Sequence, residues 1–164
     1  MTEWALWRGL AVLTALLYAG LAWIVFSDVM PGAGGLMPFD GRVFGYSVAE
    51  ARAFLDALTP EARETYLGPA RLLDTVFPLA LGALLAWPLW RLSPSPWRIL
   101  AALALGYVAA DLVENAAVAG MLRETGPVTP ATIQVASRLT VAKYVLLIGS
   151  VIALGAIFVR TRRP

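Results

Sequence analysis

The sequence predicts an all-α integral membrane four-helix bundle, with a short amphipathic helix in the connection between spans one and two. Three observations carry this. Of 164 residues, 59% are apolar and 15% charged, with a mean hydropathy of +0.71; soluble domains carry about 25% charged residues. Four apolar runs are each long enough to cross about 30 Å of hydrocarbon. Breaks containing proline or glycine separate those runs, short ones except for the segment 28–66. The whole chain, 1–164, reads as one transmembrane domain.

Span one covers about 4–27. Asp28 and the run Pro31-Gly32-Ala33-Gly34-Gly35 are expected to end it. A cleaved signal peptide is the competing reading, since Ala19-Gly20 are small. The amino-terminal stretch holds Glu3 and only one base, Arg8, and the apolar run continues to Phe26. A retained span is therefore expected.

The outer segment, about 28–66, follows. Ser47-Val48-Ala49-Glu50 has capping-box spacing, so a helix is expected to start there. Val48, Ala51, Phe54, Leu55 and Leu58 recur at helical spacing. This pattern fits an amphipathic helix lying on the membrane or across the bundle as a lid. Thr59 then caps a new helix with Pro60 at its first position. That helix is expected to run into span two, about 67–92, with bends at Gly68-Pro69 and Pro78. Arg71 and Asp74, one turn apart, are placed to pair.

Ser93-Pro94-Ser95-Pro96 permits only an antiparallel return into span three, about 97–123. Gly126-Pro127 break the chain, and Thr129-Pro130 repeats the capping pattern ahead of span four, about 131–159. An even number of spans puts both termini on one side. Arg8, Arg91, Arg98, Arg160, Arg162 and Arg163 predict that this side is the cytoplasmic face of a bacterial inner membrane. Trp4, Trp7, Trp87, Trp90 and Trp97 fall at the same interface. Trp23 stands apart and is expected to face a cavity.

Span three carries Asp111, Glu114 and Asn115 at its midpoint. Charged groups there cost about 2.5 kcal/mol or more each, so they need a partner, a cavity or a proton. At 100° per residue the three cover an arc of about 100° on one helix face. Lys143, the single lysine beside twelve arginines, lies at similar depth in antiparallel span four, with Thr140 and Ser150 near its face. Asp111 or Glu114 is therefore expected to pair with Lys143. Asp74 is expected to pair with Arg138 or Arg71 nearer the outer surface, and Tyr107 and Tyr144 to donate to the carboxylates.

Cysteine and histidine are absent. That removes disulfides, thiol redox chemistry, haem ligation by histidine, the usual zinc sites and any Ser-His-Asp set. No phosphate loop is present, since Gly32–Gly35 lacks the following lysine. No cofactor is expected, and a net charge of +2 without a basic patch argues against nucleic acid. The expected partners are a membrane lipid or hydrophobic small molecule, another membrane protein, or a second copy of the chain. The favoured reading is non-enzymatic: binding a lipid, isoprenoid or pigment, or stabilising a membrane assembly. One alternative is a lipid-modifying enzyme with Asp111 and Glu114 as acid and base and Lys143 as a third catalytic candidate. A proton-coupled carrier is the other. Lys143 also invites a Schiff base with a retinal-like aldehyde, which four spans argue against.

Several stretches resemble a set of bacterial four-span inner-membrane proteins of unknown function. The residues are Gly45-Tyr46-Ser47 with Glu50-Ala51; Arg63, Tyr66, Leu73-Asp74 and Phe77-Pro78; Asp111, Glu114 and Asn115; and Ser137, Thr140 and Lys143. The resemblance implies that the outer segment and the buried polar residues belong to one site. That adds Tyr46 to the ligand-binding candidates Asp74, Tyr107, Asp111, Glu114, Asn115, Arg138, Thr140 and Lys143.

Overall fold

The computed structural model describes residues 3–161. Among them there are helices and turns and no strand, and four helices are long and apolar enough to cross a membrane. The protein is an all-α, multi-pass membrane protein. Arg162 and Arg163, expected to help set the topology, lie outside the described residues.

Helix α1 spans Glu3–Gly32, α2 Val48–Ala57, α3 Pro60–Leu92, α4 Ser95–Arg123 and α5 Pro130–Thr161. The first span does not end at Asp28. It passes through a π turn at Val25–Val29 and continues through Pro31 to Gly32. A second π turn, Tyr66–Ala70, contains Pro69 inside α3. Proline has no N–H and crowds the carbonyl four residues back, and a widened turn absorbs both effects. Span three likewise starts earlier than expected, as a 3-10 stretch over Ser95–Leu100.

The capping signals act as read. Ser47 and Glu50 form both halves of the capping box at α2. Thr59 accepts from the Ala62 N–H at the start of α3, and Thr129 accepts from the Thr132 N–H at the start of α5.

Helices α3, α4 and α5 pack on one another, and Gly82 of α3 admits Val108 of α4 so closely that a methyl group would collide with it. Helix α1 lies outside this trio. It packs along α3, with no comparable packing against α4 or α5 among the described residues. Trp7 donates to the Leu84 carbonyl at 3.0 Å, and Trp4 meets Trp7 and Trp87 edge to face. Trp23 is 74% exposed, so it points outward rather than into a cavity. Lipid is the expected neighbour of an apolar ring on that surface.

Two apolar clusters form. One gathers the segment between the first two spans (Phe39, Ala51, Phe54 and Leu58) with the adjoining ends of α3, α4 and α5. Helix α2 is therefore part of the bundle, a cover rather than a float on the membrane. Arg63 ties it down by donating to the carbonyls of Leu122 at 2.5 Å and Leu55 at 3.2 Å. These are carbonyls that a helix end leaves without partners. The second cluster, Leu85, Leu89, Ala101, Ala104 and Ile157, closes the opposite end.

Candidate functional site

Between the two apolar clusters lies a polar one centred on Lys143. Its ammonium stands 3.0 Å from Asp111 Oδ1, 2.6 Å from Glu114 Oε2 and 2.9 Å from Asp40 Oδ1. Span three and span four thus meet through their charged groups, as their spacing predicts. Asp111 and Glu114, one turn apart on α4, clasp the lysine from the same side.

The remaining oxygens are also occupied. Asn115 donates at 3.1 Å to Asp111 Oδ2 and at 2.9 Å to the Asp74 carbonyl. Thr140 donates to Glu114 Oε1. Tyr66 donates to Asp40 Oδ2 at 2.9 Å, and Tyr144 to the Asp40 carbonyl at 2.6 Å. Glu114 and Thr140 are fully buried. Each of the three carboxylates meets Lys143 with one oxygen and a hydroxyl or amide with the other. Such closure offsets the cost of taking charge out of water.

Asp40 and Tyr66 were not among the expected site residues. Asp40 sits in a 3-10 turn, Phe39–Gly41, that the cover pushes down onto α5. Burial pushes its carboxyl up, but the Lys143 ammonium and the hydrogen bonds from Lys143 and Tyr66 outweigh this and hold it below its ordinary range. Tyr46 stays in the cover, its ring tilted against Phe39 with centroids 4.9 Å apart, and its backbone N–H donates to Ser137 at 2.8 Å. Its hydroxyl is buried without a well-formed hydrogen bond among the described residues, and burial pushes the phenol up.

Four expected pairings are not formed, one of them because Tyr144 donates to the Asp40 backbone carbonyl and not to a carboxylate. Arg138 is exposed and makes no ion pair with Asp74. Five residues before Lys143 on one helix, it lies about 140° around the axis, facing away from the bundle. Arg71 makes no ion pair with Asp74 either, and Tyr107 donates to no carboxylate.

A cavity of about 480 Å³ opens beside the cluster. Its floor holds Asp40, Asp74, Asp111 and Lys143, and its walls include Tyr18, Ala22, Phe26, Phe77 and Leu147. That volume is in the range of small-molecule sites. Helices α1 and α5 both line it, with no comparable packing between them among the described residues. Tyr18 and Phe26, on α1, line it while remaining 60% and 62% exposed, as residues at a rim do. Lys143 fills the space among its three acids, and no other group of three acids among the described residues could gather a metal ion.

No protein-family model matches the chain, and no curated protein sequence or solved structure does so either. The site is therefore read from its geometry. A small membrane protein carries, at the heart of its bundle, a closed carboxylate–lysine cluster and beside it a mostly apolar cavity.

Proposed function

We propose that the protein binds a hydrophobic ligand (a lipid, an isoprenoid or a pigment) in this cavity. The observation that carries the reading is a mostly apolar cavity lined by both α1 and α5, two spans with no comparable packing between them, so that a mouth there would open sideways into the bilayer. A ligand dissolved in the bilayer enters without crossing water. Its apolar part replaces acyl chains against Leu21, Ala22 and Leu147, and its polar part reaches the acidic floor. The outer cover and the opposite apolar cluster close the ends of the bundle, which favours binding over a through-path for a carrier. The engaged oxygens of Asp111 and Glu114 weigh against acid–base catalysis by that pair. The three acids around Lys143 weigh against its forming a Schiff base, which needs a neutral amine.

The test is mass spectrometry of small molecules that co-purify with the wild-type protein and with Ala22→Trp. Ala22 lies on a cavity wall in the outlying helix α1 and is not a member of the ion-pair cluster, so an indole there takes up cavity volume while every charged side chain is kept. The wild type is expected to carry a hydrophobic molecule that the variant lacks. The same molecules in both preparations would sink the proposal.

A second reading is favoured by α1 itself, whose long α-helical stretch buries only Thr14. Another membrane protein, or a second copy, would seat on that face. Native mass spectrometry in mild detergent tests this, and a strictly monomeric, partner-free species argues against it. We further propose a bacterial inner membrane location with cytoplasmic termini. Arg8, Arg91, Arg98 and Arg160 support it, since they lie at the end of the bundle away from the cover.

A further inference from the structure

Two polar side chains that line the cavity take no part in the closed cluster. Asp74 is 9% exposed and Tyr107 is 3% exposed, and both line the cavity. Among the described residues, the Asp74 carboxylate has no hydrogen bond or ion pair, and neither does the Tyr107 hydroxyl. An unpartnered buried carboxylate costs several times what an unpartnered hydroxyl does, so a bound partner stabilises the site most at Asp74.

The surroundings restrict what that partner is. Four acids, Asp40, Asp74, Asp111 and Glu114, gather near one ammonium, which pairs with all of them but Asp74. The Lys143 ammonium already stands within 3.0 Å of three carboxylates. A phosphate or carboxylate head would meet an acidic floor and could reach the lysine only by displacing an acid. A donor head meets a free acceptor at Asp74. The Tyr107 hydroxyl can donate to an alcohol oxygen or accept from an ammonium.

We propose that Asp74 and Tyr107 form a head-group subsite selecting an amphiphile whose head donates hydrogen bonds and bears no negative charge, an alcohol or a primary amine on an apolar chain. This rests on the cavity-binding reading above.

The test compares hexadecanol, hexadecylamine and palmitate, which share one chain length. Binding to the purified protein in neutral detergent at neutral pH is followed by native mass spectrometry and thermal shift. The alcohol, the amine or both are expected to bind at least about tenfold more tightly than palmitate. Asp74→Asn is expected to erase most of that preference. The bond from Asn115 goes to the Asp74 backbone carbonyl, so this substitution leaves it in place. Tyr107→Phe removes only a hydroxyl and serves as the second variant, with weaker binding of the alcohol expected.

Palmitate binding as tightly as hexadecanol, or an unchanged preference in both folded variants, overturns the head-group assignment and leaves cavity binding standing. Failure of all three probes, together with identical co-purifying molecules in wild type and Ala22→Trp, overturns both.

Discussion

Asp40 and Lys143 are 103 positions apart in the chain and 2.9 Å apart in space. The pair fastens the outer segment to α5, because Asp40 belongs to the cover and Lys143 to the bundle. A carboxylate held below its ordinary 3.8 by this partner stabilises the folded form at every pH above 3.8. That contribution is lost only as pH falls below 3.8 and through the lowered folded value. Protection of residues 36–46 against hydrogen exchange, taken relative to the unstructured chain at each pH, should therefore stay level from neutral pH down to 3.8 and fall below it. Asp40→Asn should raise exchange in that segment about tenfold or more at neutral pH, about 1.4 kcal/mol. A wild-type segment that already opens at neutral pH as readily as the variant's would show that the pair fastens nothing.

Lys143→Met should destabilise the fold by about 3–5 kcal/mol, because it strands three acids in the interior without their cation. Thermal unfolding in detergent reads the loss. Adding Glu114→Gln to Lys143→Met should recover part of it, since the amide removes one buried charge and can still meet Thr140. Equal melting temperatures for wild type and Lys143→Met would contradict the ion-pair geometry.

The parts of this site that repeat at helical spacing were legible in the sequence. Asp111, Glu114 and Asn115 share a helix face, Lys143 and Thr140 share another, and antiparallel spans bring the two to one depth. Capping residues announced α2, α3 and α5. Asp40 was not legible. An aspartate beside a glycine, in a proline- and glycine-rich stretch outside any span, reads as a turn former. Its partner is a long-range contact with no local signature. Arg138 misled because its depth suited Asp74 while its angle did not: five residues along a helix is not a whole number of turns. Trp23 misled because amphipathic rings serve the lipid surface as well as cavities.

The tie between cover and bundle has a second anchor, at Gly45. Its φ is +83°, and a Cβ built there would stand 2.7 Å from the Ser137 hydroxyl oxygen and 3.1 Å from a Val141 methyl. The next residue, Tyr46, donates its backbone N–H to that same Ser137 oxygen at 2.8 Å. Gly45→Ala therefore meets two costs at once: a left-handed backbone that side chains resist, and a collision with the acceptor that holds the turn. The expected loss is about 1–3 kcal/mol, read as a lower melting temperature. Ser137→Ala removes the acceptor but also relieves the collision, so the double variant should lose less than the two single losses added together. Strict additivity, or a Gly45→Ala variant as stable as wild type, would mean that the turn does not rest on α5 as described.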